Sequence, residues 1–382
     1  MKFKIPYLTL CKILLSSMLA SAASQLLAEE GVTENTILIG QTVGLSGQIA
    51  GPVKEMTAGA GVYFSAINKS GGVHGRKIEL RILDDQFDPA LAAANAETLI
   101  QKEHVLALFQ SRGTPHTEAL LALLATHKLP LIAPSTGATV FHQKLNHFVF
   151  NVRAKYQDEV VKAIEQFSTI GIKAIALVHV DDTFGRDGLA GFEKGMAQHK
   201  LTPVSISKYD RIKPDVDGVV ANVVKVNPAA VIIVGSAATT ADMIKKIRAQ
   251  GPAIQLMTLS NNASQSFIDS LGASGASVMM SQIMPAPSSM SSVLGQEFKL
   301  MAQAHGVKSS YAVMEGFVAA KVLVEGLKRA GRNLTRESLI SGLESMHRVD
   351  LAGLMVSYSE REHNGSEFVE LTMIGKEGKF LR

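Results

Sequence analysis

Short apolar runs alternate with longer amphipathic segments along most of this chain, and that alternation predicts its elements. A first strand is expected at about 36–45. The helix after it shows Val53, Met56, Ala60, Tyr63, Phe64 and Ile67 on one face and stops at Gly71 and Gly72. In "RKIELRILDD" the residues Ile78, Leu80 and Ile82 recur at every second position, the period of a strand. Asp88 and Pro89 then form an N-cap and N1 pair for a helix to about Glu103. "VLALF" (105–109) reads as a buried strand. A polar turn of Ser111, Arg112, Gly113 and Thr114 follows, and Pro115 opens a helix to His127 with Leu120, Leu121, Leu123 and Leu124 turned inward. "LPLIAP" is the next strand.

The same order restarts after about Asn151. Strands are expected at 173–180, 203–208, 229–234, 254–258 and 276–282, with helices at about 186–199, 216–226, 238–249 and 263–271. Strands alternating with helices at this spacing imply right-handed βαβ units and parallel sheets. The Pro/Ser connector "MPAPSSMSS" (284–292) breaks the order. Three helices then run together at about 292–304, 309–330 and 335–346, and the chain ends in two strand-like runs, "GLMVSYS" and "FVELTMIG". Two lobes that exchange segments across a hinge account for this ending more economically than a tandem of α/β domains.

Composition is ordinary for a globular protein: 382 residues, 46% hydrophobic and 19% charged, a length that favours two domains. Residues 1–28 change the rest of the picture. Lys2, Lys4 and Lys12 surround an apolar run that ends in small residues, the pattern of a secretory signal peptide. Cleavage is expected after Ala28, with Ala22 or Ala23 as the alternative. The uncharged stretch Ile13 to Ala28 is short for a membrane span. Without those lysines, 35 of the 38 basic residues remain against 34 acidic, a near-neutral +1 that argues against a nucleic-acid partner. The single cysteine, Cys11, leaves with the signal, and Leu10 before it is not the small residue a lipoprotein needs. That removes thiol catalysis, thiolate metal sites and disulfides, and suits an oxidising compartment. A soluble, exported protein is expected.

Several segments together carry a family resemblance: "ILIGQTVGLSGQIA", "GVYFSAINKSGGVHGRKIELRILDDQFDPALAAANAETLI", "LPLIAPSTGA", "VFNVRA", "IALVHVDDTFGRDGLAGFEKG" and "SYAVMEGFVAAKVLVEGLKRAG". From about Asn35 to Phe380 the chain resembles the type I periplasmic binding proteins, specifically the branched-chain amino-acid (Leu/Ile/Val) receptors of ABC importers. The resemblance implies an α/β fold of two Rossmann-like lobes with parallel central sheets, joined by a three-segment hinge. It divides the chain into a signal peptide (1–28), a first lobe (29–152 and 283–356) and a second (153–282 and 357–382). It also implies a periplasmic monomer that carries a small solute to an inner-membrane ABC permease, with no cofactor and no catalysis. The independent rule that ligands sit outside the carboxyl ends of parallel strands agrees.

The strand-end turns supply the site. Thr114 is expected to cap the helix at Pro115, whose free first-turn N–H groups favour a carboxylate, and Arg112 adds a possible full charge. Ser135, Thr136 and Gly137 follow the next strand end, and the resemblance makes these two turns the carboxylate cradle. Tyr156 is a possible wall. In the second lobe the resemblance points to Phe184, to Ser236 and Ala237, and to Ser260 and Asn261. Amino-acid receptors of the family typically carry an acidic residue near Ser260 to hold the ligand's ammonium; here there is none. A buried ammonium without an opposite charge is expensive. A small carboxylate, aromatic or branched, is therefore the preferred ligand, with an amide, or an amino acid bound another way, left open.

Other chemistry finds little support. There is no Gly-x-Ser-x-Gly elbow, no Walker loop, and no Gly-x-Gly-x-x-Gly after the first strand. His179, Asp181 and Asp182 read as a strand-end turn rather than a metal site, and His116, His142 and His147 are scattered. Asp85 and Asp88 read as turn and capping residues. Transport is the favoured function; a sensor feeding a membrane kinase or chemoreceptor is the alternative, distinguished by the neighbouring genes.

Overall fold

The computed structural model describes residues 29–381 except 143–145, 252 and 290, so the expected signal peptide lies outside it. The alternation read from the sequence folds into two separate sheets. The first holds β1 (Thr36–Val43), β2 (Lys77–Asp84), β3 (Ala107–Phe109), β4 (Leu131–Ile132) and β5 (Val149–Phe150) in the order β2-β1-β3-β4-β5, every pair parallel. Its crossover helices are α1 (Ala50–Lys69), α2 (Pro89–Gln101) and α3 (Thr114–His127).

After β5 the chain passes to the second unit. This runs α4 (Tyr156–Thr169), β6 (Ile175–Val180), α5 (Thr183–Gln198), β7 (Ser205–Tyr209), α6 (Val216–Val226), β8 (Ala230–Val234), α7 (Ala237–Ala249), β9 (Gln255–Thr258), α8 (Gln265–Leu271) and β10 (Met279–Gln282). The chain then returns to the first lobe as α9 (Val293–Ala304), α10 (Tyr311–Ala330) and α11 (Arg336–Glu344), followed by a small hairpin of β11 (Val349–Asp350) and β12 (Met355–Val356). A third crossing delivers β13 (Glu370–Ile374) and β14 (Phe380–Leu381), which extend the second sheet to β14-β13-β10-β9-β8-β6-β7 with β13 antiparallel to both neighbours. The first and third crossings touch: Asn151 N–H donates to the His363 carbonyl at 2.8 Å, and Tyr358 Oη donates to the Asn151 carbonyl at 2.9 Å.

Local chemistry explains most boundaries. Asp88, Asp182, Asp215, Ser292 and Ser310 each cap a helix through a side-chain oxygen. The Asp182 cap starts α5 at Thr183 rather than at the expected 186, which brings Phe184 into its first turn. β8 is buried along its whole length, as a parallel strand covered on both faces must be. "LPLIAP" yields only a two-residue strand, because Pro134 and the left-handed Ala133 (φ 55) end it. "GLMVSYS" pairs in the side hairpin and joins neither main sheet. In the first lobe α1 and α10 lie against each other so closely that a β-carbon at Gly59 would stand 1.9 Å from the Val313 carbonyl oxygen, and one at Gly316 would stand 1.8 Å from that of Met56.

Candidate functional site

The carboxyl ends of β3 and β4 are laced together. Ser135 N–H donates to the Ser111 carbonyl at 2.7 Å, and Arg112 and Ser135 form a parallel bridge. The hydroxyls pair as well: Ser111 with Thr117 at 3.0 Å, and Thr114 with Thr136 at 2.8 Å. Thr114 is not the cap that the sequence suggested. It is the first residue of α3, and the cap position falls to Gly113, at φ 101, which brings no side chain to the first-turn N–H groups. Only glycine fits there, since a β-carbon would lie 2.6 Å from His116 Nδ1 and 3.1 Å from the Phe87 ring.

Arg112 reaches from this turn across the gap between the lobes. Its Nη2 donates to the Asn261 carbonyl at 2.5 Å, and its Nη1 donates to Ser135 Oγ at 3.2 Å. The side chain is buried, and burial pulls its pKa down, offset in part by Glu315. Among the described residues no carboxylate lies within ion-pair distance of it. Around Arg112 a cavity of about 30 Å³ is lined by Ile49, Phe87, Gly113, Thr114 and Ser135 from the first lobe and by Tyr156, Phe184, Arg211, Ser236 and Asn261. That is space for two or three waters at about 10–15 Å³ each. A larger solute enters only if the lobes part and the Arg112–Asn261 bond breaks.

The lobes also touch around the cavity. Ser236 Oγ donates to Gln48 Oε1 at 2.9 Å, Thr183 Oγ1 to Glu118 at 2.6 Å, and Thr139 N–H to Asp187 at 3.0 Å. Glu55 of α1 accepts from the backbone N–H groups of Gln265 and Ser266, at 2.9 and 2.7 Å, at the start of α8 in the other lobe.

A model described as periplasmic binding protein matches residues 36–379. The chain belongs to the periplasmic binding protein family. Solved structures agree. A substrate-binding periplasmic protein from Ralstonia solanacearum is 30% identical at a TM-score of 0.85, over 90% of this chain and 99% of that one. A fatty acid ABC transporter substrate-binding protein from Thermomonospora curvata superposes with a TM-score of 0.83 at 20% identity, over 93% of each chain. A branched-chain amino acid ABC transporter structure from Thermus thermophilus, with bound valine, gives 0.82 at 16% identity, over 92% of this chain and 96% of that one. These last two likenesses establish the fold, the two-lobed α/β type I arrangement expected from the sequence.

In this family member the cavity gathers seven of the residues singled out in the sequence: Arg112, Thr114, Ser135, Tyr156, Phe184, Ser236 and Asn261. Four others sit behind the wall. Thr136 holds Thr114, Gly137 packs under the first crossing with its carbonyl accepting from Tyr156 N–H at 2.8 Å, and Ala237 opens α7. Ser260 turns away to accept from Arg153 Nη2 at 2.6 Å. Ile49, Phe87, Gly113 and Arg211 line the cavity without having been anticipated.

The largest unanticipated feature lies beneath. Arg153, 1% exposed, pairs with Glu159 at 2.9 Å and with Glu315 at 3.6 Å, and stacks over Tyr156 at 4.7 Å. Glu159 also accepts from Ser260 N–H and Ser281 Oγ, and Glu315 from Ser135 Oγ at 2.8 Å. Against its burial, Tyr156, Glu315 and Glu159 hold the Arg153 pKa up. A signal was present: Glu159 and Glu315 each interrupt an otherwise apolar helix face, between Tyr156 and Val160 in one and among Ala312, Val313 and Gly316 in the other.

Proposed function

We propose that this protein is an exported solute receptor that captures a small monocarboxylate in the interlobe cleft and hands it to an inner-membrane ABC permease. One observation carries the ligand class: among the described residues the buried Arg112 has only neutral hydrogen-bond acceptors, Asn261, Ser135 and Met56, while Glu159 and Glu315 pair with Arg153 and Glu55 accepts from the start of α8. A buried cation without a counter-ion is a receptor for an anion. The uncapped start of α3 adds partial positive charge beside it.

The opposite wall supports the second half of the reading. No lining residue is an aspartate or glutamate, and the nearby Asp182 is taken by Arg211 and the start of α5. An ammonium would find no partner there. Ile49, Phe87, Tyr156 and Phe184 offer apolar surface to the rest of the solute. Binding bridges the lobes and shifts an open–closed equilibrium, with no covalent step. The signal-like residues 1–28 and the family support the periplasm as the place of this work.

Mass spectrometry of small molecules released from the denatured protein tests the proposal. A monocarboxylate lacking an α-ammonium is expected. Recovery of a free amino acid, or turnover of the bound compound, would overturn it.

A further inference from the structure

We propose that the contact between Phe87 and Arg211 sets how far the two lobes favour closure, and that Asp85 positions Phe87 for it. The inference rests on the clamp reading above but on no particular ligand. Phe87 follows β2 in the first lobe. Its ring stacks on His116 of α3, centroids 4.4 Å apart and planes at 12°, and the other lobe's Arg211 places its guanidinium carbon 4.9 Å from the same ring. Arg211 is itself paired with Asp182, so it does not depend on a solute for its charge. The ring therefore joins the lobes directly at the wall of the cavity.

The turn carrying Phe87 is unusual. Gln86 and Phe87 both have left-handed backbones, φ 53 and 61, which a phenylalanine adopts only where its surroundings impose it. Two carboxylates impose it. Asp84 accepts from Gln86 N–H at 2.9 Å and Leu45 N–H at 2.8 Å, and the fully buried Asp85 accepts from Phe87 N–H at 2.9 Å and Thr42 Oγ1 at 3.2 Å. Gly44 leaves room for this, since a β-carbon there would meet Phe87 N at 3.1 Å.

The positioning group titrates in an ordinary pH range. Burial pushes the Asp85 carboxyl up to about 6, with Asp84 and Asp88 adding to the rise while Phe87 N–H and Thr42 oppose it. At the far side of the ring, burial holds His116 down at about 4; Arg211 adds to the fall while the Phe87 backbone, Asp88 and Asp182 oppose it, so His116 stays neutral through this range. As pH falls through about 6, Phe87 N–H loses its charged acceptor and the turn loosens. Closure weakens with it.

Residues 29–382 contain no cysteine, so spin labels can be placed at Gln101→Cys on α2 and Lys245→Cys on α7, and the interlobe distance distribution read after bound solute is stripped. Phe87→Leu should lower the closed-to-open ratio about fivefold at pH 7, the size of a partly desolvated cation–π contact. Arg211→Gln should do the same from the other lobe, and stands in if the leucine variant does not fold. Asp85→Asn should remove the pH dependence between pH 5 and 7 and hold the ratio near the wild-type value at pH 5. Ratios within twofold of wild type in Phe87→Leu or Arg211→Gln, or a wild-type pH profile in Asp85→Asn, would overturn the inference alone. A single distance under every condition would overturn it together with the clamp.

Discussion

Replacing Arg112 by methionine keeps the volume of the side chain and removes its charge. In the structure the guanidinium has two neutral oxygen partners, at 2.5 and 3.2 Å, and no carboxylate partner among the described residues. A bound carboxylate would take both of these nitrogens. Charge-assisted hydrogen bonds contribute about 1.5–3 kcal/mol each, so two at the lower end of that range amount to about 3–4 kcal/mol. Arg112→Met should therefore raise Kd for the released carboxylate roughly 150- to 1,000-fold in isothermal titration. The fold should respond differently. The substitution leaves the Asn261 carbonyl without its donor but also removes a desolvated charge, and these terms oppose each other. Melting of the solute-stripped protein should shift by no more than about 4 °C, the equivalent of ~1 kcal/mol. An unchanged Kd in a variant that melts normally would refute the role given to Arg112.

Three further outcomes follow from the same geometry. Ser260→Glu should not create affinity for an amino acid, because position 260 faces Arg153 and Glu159 rather than the cavity, and the added carboxylate should lower the melting temperature; tighter binding of leucine or valine by calorimetry would contradict the assignment of the second-lobe wall. Gly59→Ala should destabilise by about 1–3 kcal/mol in denaturant titration, since its β-carbon would stand 1.9 Å from the Val313 carbonyl oxygen and α1 and α10 would have to separate; a change below ~0.5 kcal/mol would show that their packing is loose. Burial lowers the pKa of His116 and of His142 to about 4, so the stability tied to their neutral forms is fully present above about pH 6.5 and is lost as pH falls toward 4, up to ~3 kcal/mol each. His116→Phe should flatten the pH slope of stability relative to wild type across that window; parallel slopes would refute the assignment, and Asp85, whose raised pKa works in the opposite direction, cancels in the comparison.

What could be read from the sequence was local. A period of two in "RKIELRILDD" or of 3.6 across Val53, Met56, Ala60 and Phe64 is set by neighbours a few residues apart, and these elements form where the pattern places them. Arg112, Thr114 and Ser135 were legible because a buried strand ending in a polar turn before a helix is itself a local signature. The rest of the site depends on separation. Arg153 meets Ser260 across 107 positions, and Ser135 meets Glu315 across 180. Phe87 and Arg211 sit in turns of different lobes, and no periodicity says that two turns will face each other. Thr114 was misread for a smaller reason: threonine is a good cap by type, but Gly113 alone tolerates the backbone angle and the crowding by His116 that the cap position requires here.

The charges beneath the cleft bear on how a solute carboxylate would be balanced there. Arg112, Arg153, Glu159 and Glu315 sum to zero, yet the geometry gives both carboxylates to Arg153 and leaves Arg112 with neutral oxygens. A solute carboxylate on Arg112 would leave the cluster with one excess negative charge. The start of α3, with the equivalent of roughly half a positive charge, stands beside the same place and can share it. Gly113, which the turn itself requires, adds no side-chain oxygen at that terminus, so under the proposed reading the terminus would stay available to an anion.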